Sequence, residues 1–276
     1  MRLHLEAFAK LNLALRVLHR RADGFHEIDS LVQTIDLCDR ITVDASDAGI
    51  EVRNSVEIEG VDLAERAARD LLAAKGIDRG FRIRIRKGIP IGAGLGGGSS
   101  DAAAVLLAID RMTPPLLGQD TLRTVAADIG SDVVLFLHGG LVRMRGRGEH
   151  VEALQSPPHE EYVLIVPPVH CATGPIYGAW KASRTGAAGH VLRGENDLLD
   201  AALRLHPELA PYRDAIERLD AAYWGMSGSG SSFFASFGSR EAASVAGERL
   251  SQSMPEASVH VCRAVDKGHR IIEETL

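Results

Sequence analysis

The segment from Gly88 to Asp110, GIPIGAGLGGGSSDAAAVLLAID, constrains this chain more than any other. Five of the seven positions from Gly92 to Gly98 are glycine, and an alanine-rich helical pattern follows two serines. Glycine admits positive φ and lets the backbone come within contact distance of a ligand. Set just before a helix, such a run aims unpaired N–H groups and the positive end of the helix dipole at one point, which favours an anion. A strand-to-helix turn needs only one or two glycines, so the run is expected to bind phosphate.

The familiar phosphate motifs fit poorly. Gly92-x-Gly94-x-x-Gly97 has dinucleotide-fold spacing, but the strand before it, FRIRIRK, alternates apolar and basic residues and so has one wet face. The helix is followed by Pro114-Pro115 and another helix, not by a second strand ending in an acid. No Lys-Ser or Lys-Thr follows the glycines, which excludes the Walker A loop. A protein-kinase glycine loop sits in a hairpin, whereas this one opens a helix.

Periodicity supplies the frame. Leu3 to Val17 alternates, with leucines on one face and Lys10 and Asn12 on the other, predicting a half-buried strand. Asp23-Gly24 marks a turn into further extended segments ending at RITVDA. Asp62 to Lys75 reads as a helix closed by Gly76, Ser99 to Asp110 as a helix, and Asp120 to Ile129 as another. DVVLFLHGG and LVRMRGRG read as strands joined by a glycine turn, with Arg143, Arg145 and Arg147 on a solvated face. QSPPHEE reads as a linker. Beyond it come the strand YVLIVPP and helices over Ile176–Ser183, Asp197–Leu205 and Pro211–Tyr223. A second glycine-rich loop, GMSGSGSS, leads into the strand FFASF; a helix over Glu241–Met254 and a closing strand, SVHVCRAV, complete the chain. The expected organisation is two α+β lobes, residues 1–155 and 156–276.

Composition narrows function by exclusion. The 276 residues carry 31 basic and 37 acidic side chains, a net charge of −6, which argues against nucleic-acid binding. No apolar run is long enough to span a membrane, and the N-terminus lacks a signal peptide's apolar core, so a cytoplasmic protein with no membrane partner is expected. Cys38, Cys171 and Cys262 are far apart and odd in number, so free, buried thiols are expected. The eleven histidines form no ligand-spaced cluster, and no protein metal site is expected.

Several motifs in order resemble the GHMP kinases, named for galactose, homoserine, mevalonate and phosphomevalonate kinases. PIGAGLGGGSSDAA resembles their central motif, AKLNL (Ala9–Leu13) the first, GSDVVLF the stretch with the catalytic acid, and GRGE, NDL and MSGSGSS follow in the expected order. RADGFHEIDSLVQTIDLCDRI resembles the branch whose acceptor is a cytidine-diphosphate-linked alcohol. The resemblance spans nearly the whole chain. It implies an α+β, two-lobed fold with a ribosomal protein S5 domain 2-like N-terminal lobe and a ferredoxin-like α/β C-terminal lobe. It also implies ATP, as MgATP, and the small-molecule acceptor as substrates, and a monomer or weak homodimer.

The resemblance assigns roles residue by residue. Asp132 becomes the general base and Lys10 its cationic partner beside the acceptor hydroxyl, with Asn12 on the same strand face. From the residues alone Asp132 reads as a helix cap and Lys10 as a solvated lysine. Pro90, Ile91, Gly92, Ala93, Gly94, Leu95, Gly96, Gly97, Gly98, Ser99 and Ser100 wrap the ATP phosphates; Ser99 or Ser100 caps the helix or reaches Mg²⁺. Phe25 and His26 hold the cytosine, Phe25 standing where tyrosine is common. Thr173 and Tyr177 shape the acceptor pocket, and Gly228, Ser229 and Gly230 buttress the phosphate loop. Asp62 stands where relatives often carry an adenine-contacting asparagine; a carboxylate accepts hydrogen bonds but cannot donate them. Val134 replaces a usual proline, and Ser131 a usual alanine. Three further possibilities are another GHMP small-molecule kinase of homoserine or mevalonate type, a nucleotide-binding module without catalysis and, on the glycine spacing alone, a dehydrogenase.

Overall fold

The computed structural model describes residues 1–58, 60–155, 160–181 and 192–275. Strands β1 (Arg2–Arg20) and β2 (His26–Ser46) form one long antiparallel hairpin. Asp23-Gly24 closes it, with Gly24 at φ 87°. The alternation read for β1 is real, but its polar face is not solvated. From Ala7 to Leu15 both faces are buried, and Lys10 and Asn12 are only 4% and 8% exposed. The reason is tertiary. The leucine face of β1 runs through all three apolar clusters of the molecule, and the other face is covered by both glycine-rich loops.

β3 (Ile50–Asn54), α1 (Leu63–Lys75) and β4 (Gly80–Arg86) form a crossover that sets β3 parallel to β4. Helix α1 starts and stops where read: Asp62 caps Ala64 and Glu65, and Gly76 takes the left-handed conformation at φ 64°. Phe81, Ile83 and Ile85 of β4 are buried and its arginines exposed. Helix α2 (Gly97–Met112) is buried on all sides from Ser100 to Leu106. Its alanines let the sheet and α1 approach closely, and helix packing of this kind depends on small contact residues. α3 (Gln119–Ile129) follows.

GSDVVLF departs from the sequence reading. Val133 to His138 is a short helix, α4, and not a strand. A continuous apolar run has no period that separates a buried strand from a buried helix. Val133, Val134, Leu135 and Phe136 all enter the cluster around α2, which a one-faced strand could not achieve. The hairpin β5 (Leu141–Gly146) and β6 (His150–Ala153) then pairs with the Ile28–Gln33 end of β2, while β4 takes its Arg40–Ser46 end.

A second, antiparallel sheet has the order β10-β7-β9-β8, built from β7 (Glu161–Val166), β8 (Tyr223–Met226), β9 (Phe233–Phe237) and β10 (Ser258–Arg263). α5 (Thr173–Ala179), α6 (Leu199–Leu205), α7 (Ala210–Glu217) and α8 (Arg240–Ser253) complete this half. The helix read over Ile176–Ser183 ends at Ala179, and its last two residues lie outside the described ones, as does most of QSPPHEE. The helix read to Tyr223 stops at Glu217, and Tyr223 opens β8. SVHVCRAV does not close the fold. β11 (His269–Thr275) returns to pair with β1, so the first sheet contains strands from both ends of the chain. Among the described residues no helix is long and apolar enough to cross a membrane. The three cysteines are free, Cys38 half-buried and the other two buried; burial pushes the Cys38 and Cys171 thiols up to about 11.

Candidate active site

One cleft, with a volume of about 1060 Å³, opens between the two halves. The glycine loop forms its floor. Gly92, Gly94 and Gly96 have φ of 67°, 76° and 73°, and the residues between them, Ala93 and Leu95, are buried anchors. This alternation turns the loop's carbonyls inward. Ser232 N donates to Ala93 O (3.3 Å), Lys10 N to Leu95 O (3.0 Å) and Ser227 Oγ to Gly94 O (2.9 Å). Among the described residues, none of the N–H groups from Ile91 to Ser99 donates to a protein acceptor. The bare backbone also has packing reasons. A Cβ on Gly94 would overlap the Ser227 carbonyl, and one on Gly96 would lie 3.1 Å from Lys10 Cγ.

Lys10 lies beneath the loop. Its ammonium donates to Asn12 Oδ1 and stands 3.9 Å from Asp132 Oδ2. Burial lowers the Lys10 pKa, and Asp132 opposes the shift. Asn12 donates to Ser30 Oγ (2.9 Å), which donates to Ala14 O (2.7 Å), so its amide is fixed with the oxygen toward Lys10. Asp132 occupies the cap position of α4, yet its carboxylate caps no N–H group. It faces the cleft, and Gly148 passes so close that a Cβ there would be 3.6 Å from Asp132 Oδ1.

The second glycine-rich loop locks onto the first. Ser227 Oγ accepts from Asn12 N (3.2 Å) while donating to Gly94 O, and a Cβ on Gly228 would lie 3.4 Å from Lys10 Nζ. Asn196, in the NDL triplet, donates to Met226 O (2.7 Å) and Gly228 O (2.8 Å). Ser229 pairs with Thr173 (3.1 Å) at the cleft wall. Ser100 does not reach the cleft: it is buried and donates to Phe8 O at 2.6 Å, tying α2 to β1. Ser99 does line the cleft.

At the far end His26 lies 5.1 Å from the Tyr177 ring and 5.8 Å, edge-on, from Trp180. Burial and Arg20 lower the His26 pKa, which leaves a neutral imidazole with one donor and one acceptor. Burial and Asp132 raise the Tyr177 pKa, so the phenol stays protonated. Phe25 is half exposed, with the Arg147 guanidinium 5.3 Å over its ring. The arginine face expected on β5 therefore divides. Arg143 grips Asp29 with two bonds and Arg145 pairs with Glu152, but Arg147 turns into the cleft. Sequence reasoning missed Trp180, although it sits three residues after Tyr177 at the end of one helix. It also missed Ser227, within a loop already singled out. At the opposite end Asp62 is occupied as a cap and accepts from Asn54 (2.7 Å).

The GHMP kinases N terminal domain matches residues 62–140, and the GHMP kinases C terminal domain matches residues 181–256. The chain belongs to the GHMP kinase family. Among related GHMP kinases, the 4-diphosphocytidyl-2-C-methyl-D-erythritol kinase of Shouchella clausii (strain KSM-K16) is 36% identical over 253 residues, 85% of each chain. That of Desulfitobacterium hafniense (strain Y51) is 36% identical over 272 residues, 92% of each. A crystal structure of 4-(cytidine 5'-diphospho)-2C-methyl-D-erythritol kinase superposes with a TM-score of 0.80 at 34% identity, covering 96% of this chain and 99% of that one. A mevalonate kinase structure shares the fold at 13% identity, with a TM-score of 0.69 and coverage of 96% and 100%.

For this GHMP kinase, Gly94→Ala is expected to raise the KM for ATP at least about tenfold, because the left-handed site alone costs an L-residue about 1–2 kcal/mol before the overlap with Ser227. A fall in Tm should accompany it. Steady-state kinetics and thermal melts check both; an unchanged KM would mean the two loops are not rigidly locked.

Proposed function

We propose that this chain transfers the γ-phosphoryl group of ATP to the 2-hydroxyl of 4-diphosphocytidyl-2-C-methyl-D-erythritol. The observation that carries the reading is the 3.9 Å Lys10–Asp132 pair, set between the glycine loop and an aromatic pocket in one cleft. Relatives named for that activity at 35–36% identity support the substrate.

The loop N–H groups and the α2 N-terminus hold the triphosphate. Neutral His26, with Tyr177, Trp180 and Phe25 around it, offers a donor, an acceptor and aromatic faces to a pyrimidine. Between them Asp132 accepts the proton of the acceptor hydroxyl as its oxygen bonds to the γ-phosphorus. The bond from that phosphorus to the β–γ bridging oxygen breaks, and ADP leaves. Lys10 holds positive charge beside the transferring group. Phosphoryl transfer needs little covalent help, so positioning and electrostatics supply the rate. Mg²⁺ brought with ATP would neutralise phosphate charge. The Ser99 hydroxyl, at the cleft beside the α2 N-terminus, would offer a hard oxygen to a cation delivered this way.

A substrate panel tests the assignment. Purified protein with MgATP should turn over the cytidine-diphosphate-linked alcohol and leave homoserine and mevalonate unchanged. Turnover of either of those, or ATP binding with no turnover, would overturn it.

A further inference from the structure

Both ends of the glycine loop converge on a buried ion cluster that the proposed chemistry does not use. Asp39 of β2 accepts from the loop's entry, Gly88 N (2.6 Å) and Ile89 N (2.8 Å), through one oxygen. Its other oxygen accepts from Lys87, whose ammonium also donates to Asp101 Oδ2 at 2.7 Å. Asp101 lies on the second turn of α2, just past the loop's exit. The side chains of Asp39, Lys87 and Asp101 are 0%, 7% and 5% exposed. A Cβ on Gly97 would be 3.3 Å from Lys87 Nζ, so the cluster sits directly under the loop's last turn.

We propose that Asp39, Lys87 and Asp101 form an electrostatic staple that sets the distance between the two ends of the phosphate loop. They are positioning residues, acting through the loop backbone. Asp39 already satisfies an ammonium and two N–H groups. Burial and Asp39 push Asp101 well above the usual carboxylate range. Lys87 stays charged because its two partners outweigh the burial that opposes them. The charged groups facing Asp101 are Lys87 and Asp39.

The inference rests on the phosphate reading of the loop, and calorimetric titration of the intact protein with MgATP separates the two. If wild type does not bind ATP, the loop reading falls. With wild type binding, Asp101→Asn, whose amide oxygen still accepts from Lys87, should keep the ATP Kd within about twofold. Asp101→Ala and Lys87→Met should each weaken it about tenfold or more, with the acceptor KM within about twofold. The staple is wrong if Asp101→Asn weakens ATP as much as Asp101→Ala. It is also wrong if Asp101→Ala binds like wild type. Should Lys87→Met not fold, the Asp101 pair of variants decides alone.

Discussion

Asp132→Asn is expected to lower kcat by about 10²–10⁴-fold while leaving the ATP Kd within about twofold. An amide has nearly the carboxylate's shape but cannot take up the acceptor's proton. The substitution tests chemistry with little interference from folding, because Asp132 makes no cap bond and faces the cleft. It does remove the anion that supports the charge on Lys10, so a small fall in Tm is expected. Single-turnover kinetics with saturating ATP isolate the step. A variant with wild-type kcat would remove Asp132 from the base role and leave Lys10 without its proposed partner.

Lys10→Met should lower kcat at least about a hundredfold and yet raise Tm at neutral pH by a few degrees. The two effects have one cause. Burial depresses the Lys10 pKa below its ordinary 10.5, so the folded state holds this proton less tightly than the unfolded chain does. The resulting cost to stability is full below the folded pKa and vanishes above the unfolded one. Methionine removes the cost and keeps the volume, so the gain in Tm should shrink as pH rises toward 10.5. Thermal melts across that range, beside kcat, check the sign. A Tm that fell at neutral pH would mean that the bonds of Lys10 to Asn12 and Asp132 outweigh its desolvation.

The elements that sequence located well are those with local causes. α1 is bounded by a side-chain cap and a left-handed glycine, both set by single residues. β4 alternates because one face is wet. α4 was misread because its apolar run carries no period, and β11 was missed because both its faces are exposed and its pairing with β1 joins the two ends of the chain. The phosphate reading of the glycine loop rests on composition and order alone. The loop's second cause, contact of backbone with backbone across the two halves, was not legible there, since Ser227 lies more than a hundred residues away.

By itself the sequence determined the loop, the helix it opens, and the order of motifs that marks the GHMP kinases, because each depends on residues adjacent in the chain. Tertiary structure alone decided that Lys10 is buried, that Asp132 is free of the cap it could have made, and that Arg147 leaves its strand face for the cleft. It likewise decided that Asp39, Lys87 and Asp101 share one site. Burial and charge proximity are properties of what folds over a residue, and a linear pattern does not carry them.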